Sequence, residues 1–97
     1  MRLTLHPGAE ADLAETACFY ETRVSPVLAA RFIAEFKRVT RLLLDNPGLG
    51  SLSARGRRSY PLRLFPHAVI YREIDDGIVI LVVRHHRRHP GHGERRS

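Results

Sequence analysis

His67-Ala68-Val69-Ile70-Tyr71-Arg72-Glu73-Ile74-Asp75-Asp76-Gly77-Ile78-Val79-Ile80-Leu81-Val82-Val83-Arg84-His85-His86-Arg87-Arg88-His89-Pro90 is the stretch whose reading decides the fold. Asp76-Gly77 is a strong hairpin turn. The segment before it reads as a strand from His67 to Ile74. The unbroken apolar run Ile78 to Val83 after it reads as a buried return strand reaching about His86. The cationic and titratable cluster Arg84 to His89 therefore sits on the rim of a rigid sheet, where it can hold an anionic target.

The earlier segments supply what packs on this hairpin. Arg2 to His6 alternates polar and apolar residues and fits a short first strand, stopped by Pro7-Gly8. Ala9 to about Arg23 reads as a helix with Ala9, Leu13, Ala17 and Tyr20 on one stripe. Glu10, Asp12 and Glu15 lie in its N-terminal half, where they complement the helix dipole. Ser25-Pro26 restarts a helix as cap and first residue. Leu28, Phe32, Phe36, Val39 and Leu43 then mark a continuous apolar face as far as Asp45, and Asn46-Pro47-Gly48 ends the helix. The short link makes the two helices antiparallel neighbours. Leu49 to Gly56 reads as a loop. Arg57 to Leu64 reads as a weaker strand, with Pro61 confining it to an irregular or edge position. The expected architecture is α+β: an N-terminal strand and an antiparallel helical hairpin packed on a three- to four-stranded antiparallel sheet. Residues 1–88 form one domain and 89–97 a basic, flexible tail.

Composition narrows the function. The chain has 97 residues, 43% of them hydrophobic and 27% charged, which fits one small folded domain and excludes a disordered polyelectrolyte. Its charge is uneven. Residues 1–54 carry six Lys or Arg against six acids, whereas residues 55–97 carry ten Arg against four acids. The whole net charge of +6 therefore lies in the second half and on Arg alone, which points to an anionic partner. A single cysteine, Cys18, excludes an internal disulfide. With no secretory leader pattern and no membrane-length apolar run, the expectation is a cytoplasmic protein without membrane contact.

The hairpin register separates the candidate residues by face. With Asp76-Gly77 in the turn, Asp75 faces Ile78 and Tyr71 faces Val82. One face then carries Ala68, Ile70, Arg72, Ile74, Val79, Leu81, Val83 and His85, and should receive the helices. The other carries His67, Val69, Tyr71, Glu73, Ile80, Val82, Arg84 and His86. The meeting of His67, Tyr71, Arg84 and His86 makes that second face the candidate functional one. Cleaving RNA needs a base for the 2′-hydroxyl, a cation for the phosphate and an acid for the leaving oxygen, and His, Arg and Tyr supply these without metal. The catalytic candidates under that reading are Tyr71, Arg84, His85, His86 and Arg63. Arg57, Arg58, His67, Arg87 and Arg88 are candidates for target or phosphate contact. Each has a plainer alternative: Tyr71 as a packing residue, the strand-end histidines as solvated groups, and the arginines as charges guarding a sheet edge. Four histidines (85, 86, 89 and 92) do not converge as zinc ligands do, so neither metal nor cofactor is expected.

Several of these residues also resemble a known family. Ala11-Asp12-Leu13 with Tyr20, Ala30-Arg31-Phe32, Leu43 with Pro47, Leu49 and Gly50, and Gly56-Arg57-Arg58 are matching pieces. Phe65-Pro66-His67-Ala68-Val69-Ile70-Tyr71-Arg72 and His85 with Arg87-Arg88-His89-Pro90-Gly91 complete the set. In this order they resemble the RelE/ParE toxins of type II toxin–antitoxin systems, most closely the ParE-like, or plasmid stabilization, branch. His92-Gly93 stands where that branch often ends in an aromatic pair. Arg84 occupies a position that is commonly small or apolar. The resemblance implies a bacterial growth inhibitor neutralised by a cognate antitoxin. ParE-like members act on DNA gyrase without demonstrated nuclease chemistry. RelE-like members are ribosome-dependent mRNA endonucleases, and a non-toxic member would serve in transcriptional autoregulation. Direct DNA binding by this chain alone is not expected, since no helix-turn-helix pattern is visible.

Overall fold

The computed structural model describes residues 1–87 together with Gly93 and Arg96. The elements are β1 (Arg2–Leu5), α1 (Pro7–Arg23), α2 (Pro26–Asp45), β2 (Ser51–Leu52), β3 (Arg57–Pro61), β4 (His67–Ile74) and β5 (Gly77–His85). The architecture is α+β, with the helical hairpin on one face of a sheet. That sheet has five strands in the order β1-β5-β4-β3-β2 and is mixed, not wholly antiparallel, because β1 runs parallel to β5. The fifth strand is the two-residue β2, too short to show any alternation in the sequence.

Helix α1 starts two residues before the expected Ala9. Pro7 takes the first helical turn, where its missing N–H costs nothing, and His6 Nδ1 accepts from the Gly8 N–H at 2.9 Å. At α2 the Ser25 hydroxyl accepts from the Leu28 N–H at 3.1 Å, as the Ser-Pro pair predicts. The α2 stripe is deeply buried: Phe32, Val39 and Leu43 are wholly inaccessible. They pack on Leu62, Val69, Tyr71, Ile78, Ile80 and Val83, and these contacts form the main core. Glu35 ties α2 to the β3–β4 connection. Its carboxylate accepts from Arg38 Nε and Nη2, both at 2.7 Å, and from the Arg63 N–H at 2.6 Å. Those bonds, Arg38 first, hold the Glu35 carboxyl below the usual carboxylate range.

The β4–β5 pairing corrects the expected faces. The turn is Asp75-Asp76, with Ile74 opposite Gly77 and Tyr71 opposite Ile80. Between Ile70 and Tyr71 the register shifts: Ile70 faces Val82, which leaves Leu81 as an extra residue in β5. Beyond that bulge Val69 faces Val83 and His67 faces His85. The helix-facing side therefore gathers His67, Val69, Tyr71, Ile78, Ile80, Val83 and His85. The open side gathers Ala68, Ile70, Arg72, Ile74, Val79, Val82 and Arg84, with a smaller apolar cluster of Ile70, Val79, Leu81 and Val82. The helices thus cover His67, Val69, Tyr71 and Ile80 of the face expected to be functional, while Val82, Arg84 and His86 of that face stay on the open side. A one-residue bulge is enough to exchange every β5 partner downstream of it.

Candidate functional site

Tyr71 is one of the catalytic candidates, and the fold gives it the packing role that was its alternative. Its side chain is fully buried. Its hydroxyl donates to the Pro47 carbonyl at 2.7 Å and accepts from the Gly50 N–H at 2.8 Å. A Cβ on Gly50 would lie 2.7 Å from the Tyr71 hydroxyl oxygen, so only glycine permits this approach. Arg58, opposite Tyr71 on β3, donates from Nη1 to the Gly50 carbonyl at 2.9 Å and to the Gly48 carbonyl at 3.3 Å. Tyr71 and Arg58 together pin the turn after α2 to the sheet. Burial pushes the Tyr71 hydroxyl above its ordinary pKa, and its hydrogen bond from Gly50 offsets this only in part.

The histidines divide between the two faces. His67 is buried, and its ring meets His85 edge-on at 4.9 Å and Phe32 at 5.1 Å. Phe65 and Tyr20 extend this aromatic group, and burial raises the Tyr20 hydroxyl as well. His85 Nδ1 accepts from the Arg87 N–H at 3.0 Å, which sets the ring and the bend of the chain after β5. A cavity of about 250 Å³ lies against α1 here, lined by Asp12, Glu15, Tyr20, His67, Val83 and His85 among others. His85 therefore points to the helix side, as the register reading expected. Arg84 and His86 do share a face, as expected, but with Ser59, Ala68 and Ile70 instead of His67 and Tyr71. The four-residue constellation of His67, Tyr71, Arg84 and His86 is not assembled.

The arginines sort by what they touch. Arg57, on the open side, donates from Nη1 to the Gly93 carbonyl at 2.9 Å and from Nη2 to the Arg96 carbonyl. Arg63 and Arg87 are exposed. Arg88 lies outside the described residues, as do His89, His92 and the expected tail apart from Gly93 and Arg96. Among the described residues, no three His, Cys, Asp or Glu side chains form a group suited to a metal ion. No described helix is long and apolar enough to cross a membrane.

Two residues outside the candidate list prove structural. Asp12, buried on α1, accepts from the Val83 N–H at 3.1 Å and from Arg96 Nη1 at 2.6 Å. Arg96 Nη1 also donates to the Leu81 carbonyl at 3.1 Å. Once β1 has ended at Leu5, the far half of β5 would present a bare edge, and Asp12 with Arg96 closes it. The available sequence signal was an acid beside Ala9 and Leu13 on the buried stripe of α1, which helix-dipole reasoning absorbed too readily.

The molecule is an α+β domain with a helical hairpin on a five-stranded mixed sheet and an arginine-rich second half. The comparisons with known proteins identify its kind. Residues 3–90 match the profile of the ParE toxin of type II toxin–antitoxin systems, parDE, and the chain belongs to that family. Among solved structures it is similar to a chain of the chromosomal ParDE toxin–antitoxin system from P. aeruginosa. That likeness has a TM-score of 0.76 at 24% identity, covering 88% of this chain and 95% of the other. No curated protein matches it.

Proposed function

We propose that this chain is the toxin of a type II toxin–antitoxin pair. It acts in the bacterial cytoplasm, inhibits growth by binding DNA gyrase, and is neutralised by a cognate antitoxin. Membership of the ParE toxin family supports the coarse reading. The binding mode rests on one observation: the hydroxyl of Tyr71 is spent on Pro47 and Gly50 on the helix side, across the sheet from Arg84 and His86. Among the described residues Tyr71 does not meet Arg84 and His86, which favours inhibition by contact over the RNA cleavage that would use all three. The antitoxin is best served by a segment that is disordered alone and folds on the basic domain, with acidic and apolar side chains. Its association should slow as salt rises.

The test is expression of the isolated chain in a bacterium. Filamentation and induction of the DNA-damage response are expected. Immediate arrest of translation with cleaved mRNA would favour the endonuclease reading, and normal growth would favour a non-toxic role in autoregulation.

A further inference from the structure

On the open side of the sheet, away from the helices, three polar side chains surround a recess of about 250 Å³. Ser59 on β3, Arg84 on β5 and His86 just beyond β5 form its walls, and Ala68 and Ile70 complete its lining. The strand register explains the recess. Ala68 pairs with Pro61 on one side and Arg84 on the other, so a small methyl lies between larger neighbours. The bulge at Leu81 puts Arg84 in this row. His86 is held in place by its N–H, which donates to the Pro66 carbonyl at 2.9 Å.

The Arg84 Nε–H is buried and has no hydrogen-bond partner among the described residues. A buried donor on a charged group is costly to leave unmatched, so an acceptor is the missing piece. The Ser59 hydroxyl and an imidazole N–H of His86 add two further donors to the same recess.

We infer that Ser59, Arg84 and His86 form an oxyanion site that takes one carboxylate side chain from a bound protein segment. The planar guanidinium fork matches a carboxylate, and one fixed positive charge balances one negative charge. A polynucleotide would instead need cations repeated along a track. Of the other open-side arginines, Arg57 on β3 is already engaged with the Gly93 and Arg96 carbonyls, and Arg72 on β4 pairs with Arg57 outside the lining of the recess. The carboxylate's origin in a protein partner rests on the proposed toxin reading; the site itself does not.

The experiment is an NMR titration of the full ¹⁵N-labelled chain at fixed ionic strength with N-acetylglutamate amide, inorganic phosphate and a single-stranded ten-nucleotide RNA. A saturable shift of the Arg84 Nε–H and His86 ring signals is expected with the glutamate derivative. The His86 shift should disappear in Arg84→Gln, and both shifts should weaken at least threefold in Ser59→Ala, each variant with unchanged melting temperature. Linear, non-saturating shifts, or binding of RNA at least tenfold tighter than the carboxylate, would overturn the inference. If carboxylate binding persists while expression of the chain leaves bacterial growth normal, the site stands and the toxin reading falls.

Discussion

Replacing Tyr71 with Phe removes one oxygen and separates a structural role from a catalytic one. That oxygen holds two groups, the Gly50 N–H at 2.8 Å and the Pro47 carbonyl at 2.7 Å. Gly50 is buried, so its donor would lose its acceptor with little access to water. A buried group left unmatched costs about 1–3 kcal/mol. The Pro47 carbonyl is only half-buried and recovers water more readily. A total of about 2 kcal/mol is expected, and in a domain of this size that lowers the melting temperature by roughly 8–16 °C. Circular dichroism during heating, with urea titration alongside, measures it. Growth inhibition by the variant, compared at equal folded protein, should be retained. A variant that melts like the wild type, or one that stays folded and loses all toxicity, would refute this assignment of Tyr71.

Other expectations follow from the same contacts. Asp12→Ala strands the Val83 N–H and Arg96, and should cost about 2 kcal/mol in urea unfolding. Arg96→Ala should cost less, because Val83 keeps its acceptor. Leu43→Ala opens a cavity under α2 and should cost about 2–5 kcal/mol by the same measurement, a large share of the stability of a small domain. The lowered pKa of Glu35 means that the folded state favours its ionised form. Its contribution is complete above the unfolded Glu value near about 4.3 and is lost as pH falls through the lower folded value. The gap in melting temperature between wild type and Glu35→Gln should therefore be constant near neutrality and shrink below about pH 4.

The sequence carried the layer arrangement well, because the Leu28-to-Leu43 stripe and the Asp-rich turn before Ile78 are strong periodic and local signals. Near that turn it carried the shared face of Tyr71, Glu73 and Ile80 but not the partners, which lie two residues from those expected. The face assignment failed on the turn side of Leu81, where β4, Val79 and Ile80 lie on the sides opposite to those expected, and the bulge returns Val82, Val83, Arg84 and His85 to their expected sides. A bulge leaves no mark in an unbroken apolar run, yet it moves Val83 and His85 to the helix side and Val82 and Arg84 to the open side. Tyr71 and His67 looked too polar for a core. The partners that make Tyr71 acceptable there, Pro47 and Gly50, lie more than twenty residues away in the chain. Arg57 and Arg58 were legible as charge, but their engagement with backbone carbonyls was not, because those carbonyls belong to irregular segments brought near only by the fold.

Gyrase is where the central proposal meets its most direct test. Purified chain, free of antitoxin, is added in rising amounts to a DNA supercoiling reaction. Loss of supercoiling is expected as the chain approaches stoichiometry with gyrase, and Tyr71→Phe that remains folded should inhibit equally well. Undiminished supercoiling at large molar excess would contradict inhibition by gyrase binding, and cleavage of ribosome-bound mRNA by the same preparation would replace it.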